Sequence, residues 1–462
     1  RRRQRQMCIR DRANMESQGI KVDNDRHIAQ MGFWDQLATW IGANANNGTW
    51  YIGGVIAALG LSGALGVILI SGPLAYVFLA LVGYMGYKMR ASTMNLMRPA
   101  FGVRGSIGPS LINVVQFMGW AAVNTYIAAI SVSYLLADIF GSTNFNPGGI
   151  KGMVVGVAIM GILHLISISL GQKSIRLIER IGIILVIALV IWETIVVLRE
   201  VSLQQILAWH APTAAHLSFG TAIDVFAAFN LAWVTAAADF TRFSKNKSSA
   251  TKAPFIGATL GLYWFAIVGS LTTIAAAVST NAFNPDSSDP STVASKLGLG
   301  VLALIVIMLT STTANAVNLM AAGSAFNNIL PKIKLTPSLW IVTIIATLMS
   351  FIPFIFGGFI NTFIWFLDMV GMILGPEIAI LLVDFFFVRG KNYDTDQFSK
   401  IDGKYWYQAG FNVRAYITWA ISIAVYFGLQ QVTLVTDTVG STWLTMLFAA
   451  GLYAVLSLKK AM

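Results

Sequence analysis

Apolar segments of about 20 residues recur along the whole chain, and no other feature constrains its fold as strongly. A helix needs about 20 such residues to cross a hydrocarbon core that is ~30 Å thick. Only 11% of the 462 residues are charged, whereas soluble globular proteins carry roughly 25%. Because the segments are too long for barrel strands and lack their alternation, we predict an all-α polytopic membrane protein.

The pattern predicts about twelve membrane helices in one transmembrane domain from residue 34 to residue 462. They are expected at residues 36–58, 63–87, 107–138, 152–171, 177–198, 218–240, 253–279, 297–323, 338–357, 360–388, 413–430 and 438–458. If the N-terminus is cytoplasmic, the inside segments hold twenty Lys and Arg residues and the outside loops hold three. This positive-inside bias predicts a cell-membrane protein with both termini in the cytoplasm.

The first 33 residues are predicted to form a cytoplasmic tail, and residues 1–14 are expected not to be native. The run RRRQRQMCIRDR ahead of Met15 resembles translated adapter sequence, because no apolar core follows it at signal-peptide distance. This run contributes +5 of the net charge of +11, so the charge does not argue for a nucleic-acid partner. The only cysteine, Cys8, also lies here, which excludes a disulfide framework.

Small and polar residues interrupt two of the predicted helices. The first helix carries three amides, Asn44, Asn46 and Asn47, and the sixth reads NLAWVT from Asn230 to Thr235. If the first ten helices form two repeats of five, the two interruptions occupy equivalent positions, which is typical of a transporter site at the membrane midplane. Unwound backbone is tolerated at this depth where it lines a cavity. The sequence leaves open which of the three amides faces that cavity.

Two further helices carry polar faces. Gln116, Trp120 and Asn124 are four residues apart and share one face of the third helix. An indole beside amides suits a flat heterocycle, because the ring stacks while the amides hydrogen-bond to its edge. The eighth helix carries Thr310, Ser311, Thr312, Thr313, Asn315 and Asn318. These oxygen-rich side chains suit a hard cation such as Na⁺, although helix hydroxyls also bond to backbone carbonyls one turn back.

Ionisable residues within the predicted helices are few. Asp224, Glu193 and Asp368 fall within or near them, where charge is costly and usually functional. Asp368 is the deepest and is the candidate for proton coupling if the coupling ion is not Na⁺. His164 is a lone histidine in the fourth helix, and we expect it to be a packing residue rather than a proton relay.

At these residues the sequence resembles the nucleobase–cation symporter-1 family, on its bacterial cytosine-permease-like branch. The resemblance covers nearly the whole chain from about Trp34. It rests on QFMGW at 116–120, ADFTRF at 238–243, Thr312-Thr313 with Asn315 and Asn318, Gly375-Pro376 with Asp384, and Tyr405-Trp406-Tyr407 with Gly410 and Asn412. Each segment is weak alone, but together their order and spacing are specific.

The resemblance implies a leucine-transporter-like fold, with two inverted repeats of five helices at about 34–200 and 215–390. Two extra helices follow at about 411–458. It also implies a sodium site made by the carbonyls of Gly42, Ala45 and Leu309 and the hydroxyls of Thr312 and Thr313.

For the substrate, the resemblance implies a base stacked on Trp120 with Asn124 at the ring edge. Gln116, Asn46, Asn230, Ala232, Trp233, and Asn315 or Asn318 would complete the pocket. Relatives often carry an aromatic at the position of Asn230, so Trp233 is the nearest aromatic candidate here. Asn124 replaces a longer amide of some relatives.

We therefore predict a monomeric secondary transporter, and not an enzyme, that brings a nucleobase such as cytosine or a purine into the cell with Na⁺ and has no bound cofactor. Hydroxymethylpyrimidine and allantoin or hydantoin are the alternative substrates, and protons are the alternative coupling ion. A channel or sensory membrane protein is the alternative from another class. The sequence has no H-E-x-x-H, G-x-S-x-G or Walker A motif to support an enzyme.

Overall fold

The structure is a computed structural model that describes residues 30–458, apart from residues 142–144, 146–148, 170, 285–287, 331 and 357. The side chains of residues 171–183, 186, 214 and 328 are also outside this description. Residues 1–29 of the predicted tail and the basic C-terminal residues Lys459 and Lys460 therefore lie outside the described residues.

Twelve long helices follow one another along the described chain, and two of them are broken. Their bounds are α1a Phe33–Asn44, α1b Asn47–Ile56, α2 Gly60–Met89, α3 Ile107–Phe140, α4 Ile150–Ser169, α5 Gly171–Glu200, α6a Phe219–Val234, α6b Ala237–Thr241, α7 Lys247–Thr280, α8 Gly300–Ile329, α9 Leu335–Met349, α10 Phe359–Val383, α11 Val413–Gln430 and α12 Ser441–Leu458. Among the described residues, nine helical segments are long and apolar enough to cross a membrane by length and composition. The prediction of an all-α membrane fold is confirmed.

The predicted interruptions of the first and sixth helices are also confirmed. Helix α1a ends at Asn44, and α1b begins at Asn47 after two non-helical residues. Asn46 has extended backbone and caps α1b, because its Oδ1 accepts the N–H of Thr49 at 3.0 Å. In the sixth helix, Thr235 and Ala236 separate α6a from α6b.

Several helices extend beyond their predicted apolar limits. Helix α7 begins at Lys247, six residues before the predicted start at residue 253. The reason is a polar first turn that hydropathy does not detect: Asn246 Oδ1 accepts the N–H of Ser249 at 2.9 Å and caps the helix. A short helix at Thr93–Phe101, between α2 and α3, was likewise not predicted.

The helices pack in three groups that place the two breaks at the centre. Helices α1a, α1b, α2, α6a and α7 pack on one another, and α3 packs against α4, α8 and α9. Helices α10, α11 and α12 pack together, and α10 also lies along α6a. The breaks of the first and sixth helices thus face α3 and α8, the helices that carry the predicted polar faces.

Close approach of α1b to α7 depends on two glycines. A Cβ atom at Gly53 would overlap the backbone carbonyl of Ala266, and one at Gly269 would overlap that of Trp50. Small residues allow membrane helices to approach this closely. The contact holds the C-terminal half of the broken helix against an unbroken neighbour.

We expect Gly53→Leu to destabilise the fold by about 1–3 kcal/mol, because backbone atoms cannot move aside for the added side chain. The measurement is the thermal unfolding midpoint in detergent, followed by size-exclusion chromatography. Gly451→Leu in α12 is the matched control, since a Cβ at Gly451 meets no atom within 4 Å among the described residues. Equal midpoints for the two variants would contradict the close-packing argument.

Candidate functional site

A small cavity lies where the two broken helices face α3 and α8. Its lining is aromatic with a few amides: Asn46, Gly48, Phe117, Trp120, Asn124, Phe229, Ala232, Trp233 and Asn318. Mostly apolar cavities with a small number of placed polar groups are typical of small-molecule sites. We call this the central cavity.

The structure brings together most of the residues predicted to bind substrate. Six of them line the central cavity: Asn46, Trp120, Asn124, Ala232, Trp233 and Asn318. Gln116 lies behind Trp120, where its Oε1 accepts the indole N–H at 3.1 Å. Its Nε2 donates to Asn113 and Thr235, at 2.9 Å each. Gln116 therefore orients Trp120 from behind.

Asn124 lines the central cavity with its hydrogen bonding incomplete. Its Nδ2 donates to the carbonyl of Trp120 at 3.1 Å, which directs its Oδ1 away from the helix backbone. That Oδ1 is buried and accepts no hydrogen bond from any described residue. An unpartnered acceptor is costly inside a protein unless a ligand supplies the donor. Asn124 thus offers an acceptor to a bound molecule.

The three amides of the first helix have separate roles. Asn46 lines the cavity while its side chain caps α1b. Asn44 donates to the carbonyl of Trp40 at 3.2 Å. Asn47 reaches across to α8, where its Nδ2 donates to the carbonyl of Ile307 at 2.9 Å. Asn46 is therefore the amide that faces the cavity.

Asn230 is placed differently from the prediction. It is fully buried, its Nδ2 donates to the carbonyl of Phe226 at 2.6 Å, and its Oδ1 lies 2.6 Å from the hydroxyl of Tyr76. The same hydroxyl lies 2.5 Å from Asn44 Oδ1, so Tyr76 connects the first and sixth helices just before both breaks.

Helical phase explains this difference. Phe229, Ala232 and Trp233 are spaced i, i+3 and i+4 and share the face of α6a that meets the cavity, whereas Asn230 points to α2. Phe229 and Phe117 line the cavity but were not predicted as site residues. The i, i+3, i+4 spacing with Ala232 and Trp233 could have identified Phe229 as a cavity residue.

Asn315 also lies outside the cavity lining. It is fully buried, and its Nδ2 donates to the carbonyl of Ala121 in α3 at 2.9 Å. Its Oδ1 lies 3.4 Å from Nδ2 of Asn318, the α8 amide that does line the cavity. Of the two predicted α8 amides, Asn318 therefore reaches the cavity and Asn315 supports it.

A second, larger cavity adjoins the first and follows α1a toward its N-terminal end. Its lining includes Ala38, Thr39, Trp40, Gly42, Ala43, Ala45, Asn46, Trp233, Phe240, Thr310, Thr313, Ala314, Val317 and Asn318. Asn46, Trp233 and Asn318 belong to both cavities. We call this one the α1a cavity, and the three common residues form the boundary between the two cavities.

The end of α1a leaves backbone oxygens available beside the α1a cavity. The carbonyls of Trp40, Ile41 and Ala43 accept hydrogen bonds from the residues that follow them. In the described part of the chain, no such donor reaches the carbonyls of Gly42 and Ala45. Oxygen atoms left over at a helix break are ligands that suit an alkali cation.

Hydroxyl groups of α8 face the same region. Thr313 lines the α1a cavity, and its hydroxyl donates to the carbonyl of Thr310 at 2.8 Å. The hydroxyl of Thr312 donates to Met308 at 2.9 Å. Since each proton is directed to the helix backbone, the hydroxyl lone pairs are free to accept. The side chain of Leu309 is 42% exposed, so only its carbonyl can contribute.

An aromatic cluster covers the central cavity on the side of α1b and α10. The rings of Tyr126 and Phe359 stack 4.3 Å apart, and those of Tyr51 and Phe363 lie 5.0 Å apart. Phe366 packs edge-on to Trp120 at 5.1 Å. We call these residues the aromatic cover, and Phe363 and Phe366 connect it to Trp120 of the central cavity.

Asp368, the candidate for proton coupling, is in α10 and is half-buried. Its Oδ1 lies 3.5 Å from the hydroxyl of Tyr426 in α11. Nearby Asp224 caps α12, because its two oxygens accept the N–H groups of Ser441 and Thr442 at 2.7 Å each. Asp368 is therefore placed toward the last two helices.

Comparison with known proteins identifies the family and the fold of the chain. A family described as a permease for cytosine/purines, uracil, thiamine and allantoin matches residues 26–454. The allantoin permease of Bacillus subtilis (strain 168) is 23% identical over 399 residues, which cover 82% of this chain and 80% of that protein. The hydantoin permease of Microbacterium maritypicum is 23% identical over 356 residues, covering 74% and 70%.

The fold resembles that of Mhp1, a nucleobase-cation-symport-1 family transporter solved in a closed conformation with bromovinylhydantoin bound. The TM-score is 0.74 at 18% identity, and the match covers 94% of this chain and 95% of that one. An inward-facing conformation of Mhp1 gives a TM-score of 0.75. At this level of identity the likeness shows the fold, and it confirms the predicted leucine-transporter-like architecture.

We expect Tyr76→Phe to lower the stability of the protein by about 1–3 kcal/mol, because it removes the hydroxyl that two buried amide oxygens contact. Thermal unfolding in detergent measures the effect. Tyr263→Phe is the matched control: its hydroxyl makes one long contact of 3.4 Å, to the carbonyl of Leu69, at an exposed position. A Tyr76→Phe midpoint equal to that of the control would show that the hydroxyl does not stabilise the breaks.

Proposed function

The chain belongs to the family of permeases for cytosine/purines, uracil, thiamine and allantoin, and on this premise we propose that it carries a nucleobase or a related flat heterocycle inward together with Na⁺. The chain is thus a multi-pass membrane transporter and not an enzyme. The observation that carries the proposal is the central cavity, where two indoles, of Trp120 and Trp233, accompany an amide oxygen that lacks a donor.

The cavity chemistry supports a single flat ring as substrate. Indole faces stack on heterocycles, and the hydrogen bond from Trp120 to Gln116 removes the indole N–H from competition for the ring edge. Asn124 Oδ1 can accept a ring or amino N–H. The N-terminal turn of α1b also presents Gly48 to the cavity, where backbone N–H groups without helical partners can donate to a carbonyl.

Sodium coupling is supported by the oxygen groups around the α1a cavity. Gly42 and Ala45 offer carbonyls, and Thr313 offers a hydroxyl lone pair on the facing helix. Thr312 and the carbonyl of Leu309 would complete the ligand set. Because Asn46 is part of both cavities, a bound cation and a bound ring would favour the same position of the break. Each ligand would then raise the affinity for the other.

We also propose that both termini are cytoplasmic in the cell membrane and that the α1a cavity opens inward. The excess of Lys and Arg in the loops on that side supports this orientation. The aromatic cover then closes the outer side. We propose a monomer as the working unit.

The deciding experiment is a labelled-substrate uptake panel of cytosine, purines, uracil, allantoin, hydantoin and hydroxymethylpyrimidine. Uptake is measured in proteoliposomes with Na⁺ present, with Na⁺ replaced by another cation, and with the proton gradient collapsed. We expect concentrative uptake of at least one ring that requires Na⁺. If the ring never becomes more concentrated inside the proteoliposomes than outside, the protein is a channel. If uptake is lost only when the proton gradient is collapsed, the coupling ion is the proton.

We expect Trp120→Ala to weaken ring binding by about tenfold to a hundredfold, because stacking of a base on an aromatic ring is worth about 1–3 kcal/mol. Binding affinity in detergent and uptake both measure it. Trp340→Ala in α9 is the matched control, since that indole is 48% exposed on the outer surface of the helix bundle. Wild-type affinity in Trp120→Ala would remove this residue from the site.

We expect Thr313→Ala to raise the Na⁺ concentration for half-maximal uptake by about tenfold or more, since a contact with a charged group is worth about 1.5–3 kcal/mol. Thr313→Ser should restore the wild-type value because it retains the hydroxyl. Thr347→Ala in α9 loses a hydroxyl that donates to its own helix backbone at 2.8 Å and serves as the control. An unchanged Na⁺ dependence in Thr313→Ala would contradict the proposed sodium site.

A further inference from the structure

A buried group of polar side chains lies directly behind the central cavity. It consists of Thr125 in α3, His164 in α4 and Asn315 in α8, none of them more than 2% exposed. Asn315 Nδ2 lies 3.1 Å from the hydroxyl of Thr125 and 3.3 Å from His164 Nε2. His164 Nδ1 lies 3.4 Å from the same hydroxyl. We call these three residues the polar triad.

The direction of each hydrogen bond in the polar triad follows from one backbone carbonyl. The hydroxyl of Thr125 donates its only proton to the carbonyl of Ala121 at 2.7 Å, so its lone pairs can only accept. His164 Nδ1 must then carry the proton that it directs at Thr125. A neutral imidazole has one N–H, which leaves Nε2 as an acceptor that shares the two protons of Asn315 Nδ2 with Thr125 and the carbonyl of Ala121.

The orientation of the Asn315 amide is fixed by the same carbonyl. Its nitrogen lies 2.9 Å from the carbonyl of Ala121, which cannot donate, so the atom at this position must be the N–H group. The oxygen of Asn315 consequently points the other way, toward Nδ2 of Asn318 at 3.4 Å. With its N–H directed to Asn315, Asn318 presents its Oδ1 to the cavity that it lines.

Asn124 presents the same kind of atom from the facing helix. Its nitrogen donates to the carbonyl of Trp120, which leaves Oδ1 without a donor among the described residues. The two side-chain amides of the central cavity that lie on α3 and α8 are therefore both oriented as acceptors. A ligand that satisfies both must carry at least two N–H groups.

We propose that Thr125, His164 and Asn315 are positioning residues that hold Asn318 with its oxygen toward the cavity, so that the transporter selects rings with ring N–H groups, such as cyclic ureides and lactams. This inference rests on the proposed transport of a flat heterocycle and narrows its substrate class. Rings whose nitrogens are all acceptors would place lone pairs against the two amide oxygens. Such rings bind weakly, because buried acceptors on both sides are left without donors.

A polar cluster that only stabilises helix packing would have the same bonds among its three members. The polar triad differs because its hydrogen bonds continue to Asn318, which lines the cavity. A packing role therefore affects stability alone, whereas a positioning role also affects which rings bind. The ratio of affinities for two rings separates these roles, since a loss of stability does not change that ratio.

The test compares pairs of isomers that differ in where one methyl group is attached. Thymine and 3-methyluracil form one pair, and 5-methylhydantoin and 3-methylhydantoin form the other. The C-methyl isomer retains both ring N–H groups, whereas the N-methyl isomer loses one. Binding to the full-length purified protein in sodium buffer is measured from the ligand-dependent rise in unfolding temperature. We expect the C-methyl isomer to bind about tenfold to a hundredfold more tightly.

Variants of the polar triad should remove this preference. Asn315→Leu and Asn315→Ala both remove the oxygen to which Asn318 Nδ2 donates, so Asn318 is free to rotate, and we expect the ratio to fall to within about threefold. Ser167→Ala is the matched control, because Ser167 is buried in α4, three residues beyond His164, and its hydroxyl has no partner among the described residues. Its ratio should equal that of the wild type.

An independent measurement determines the tautomer of His164 in the wild-type protein. Nitrogen-15 NMR of histidine-labelled transporter reports the tautomer of each ring, and the sequence contains four histidines. The signal that disappears in His164→Phe or, if that variant does not fold, in the more conservative His164→Gln identifies His164. We expect a neutral ring with the proton on Nδ1, and a proton on Nε2 would overturn the proposed direction of the hydrogen bonds.

The outcomes separate this inference from the function on which it rests. If rings bind but the isomers bind equally well in the wild type, or the preference survives both variants, the positioning role is wrong and the transport proposal stands. If no ring binds to the folded wild-type protein in sodium buffer, the transport proposal itself fails, and this inference fails with it.

Discussion

Unpaired backbone groups at two helix breaks are the constraint on which the rest of this structure depends. Within a membrane, a backbone N–H or C=O without a partner costs several kcal/mol, so a helix can break only where other groups supply the missing bonds. Here side chains supply many of them. Asn46 caps α1b and also donates to Ala43, and Thr235 donates to Ala232 at the end of α6a. The oxygens that remain unpaired at Gly42 and Ala45 are then available to a ligand.

The two adjoining cavities are lined by polar groups of different chemistry. Aromatic rings and amides of α3, α6a and α8 line the central cavity, while backbone oxygens and hydroxyls lie beside the α1a cavity. A stacked ring and a hard cation require these two different surroundings. Their common boundary at Asn46, Trp233 and Asn318 means that movement of α1a changes both at once. Coupling between two ligands requires such an element that both can stabilise.

Much of this fold and part of the site could be predicted from sequence, and the differences have physical reasons. Helix existence followed from apolar length, and both breaks followed from clustered small and polar residues. Gln116, Trp120 and Asn124 were grouped correctly because their spacing places them on one face of an unbroken helix. Asn230 was expected in the pocket from the resemblance, whereas its phase on α6a directs it to Tyr76 of α2.

Tertiary partners could not be predicted in the same way. Asn315 and Asn318 lie three residues apart in α8, yet Asn315 bonds to α3 and α4 while Asn318 lines the cavity. That distinction depends on the carbonyl of Ala121 and the ring of His164, which are distant in sequence. Which of Asn44, Asn46 and Asn47 faces the cavity likewise depends on distant partners, because Asn44 contacts α2 and Asn47 contacts α8. Helix ends were missed where capping side chains extend a helix past the apolar region.

The hydroxyl of Tyr76 has one proton for two acceptors, which affects how strongly it holds the two broken helices together. Its hydroxyl lies within 2.6 Å of amide oxygens on both broken helices, yet a phenol has a single proton to donate. At any moment one of the two helices accepts that proton and the other does not. Separation of α1a from α6a would therefore sacrifice one hydrogen bond and not two, and it would also relieve the repulsion between the oxygen without a donor and the phenol oxygen. The energy difference between arrangements of the two helices is reduced accordingly.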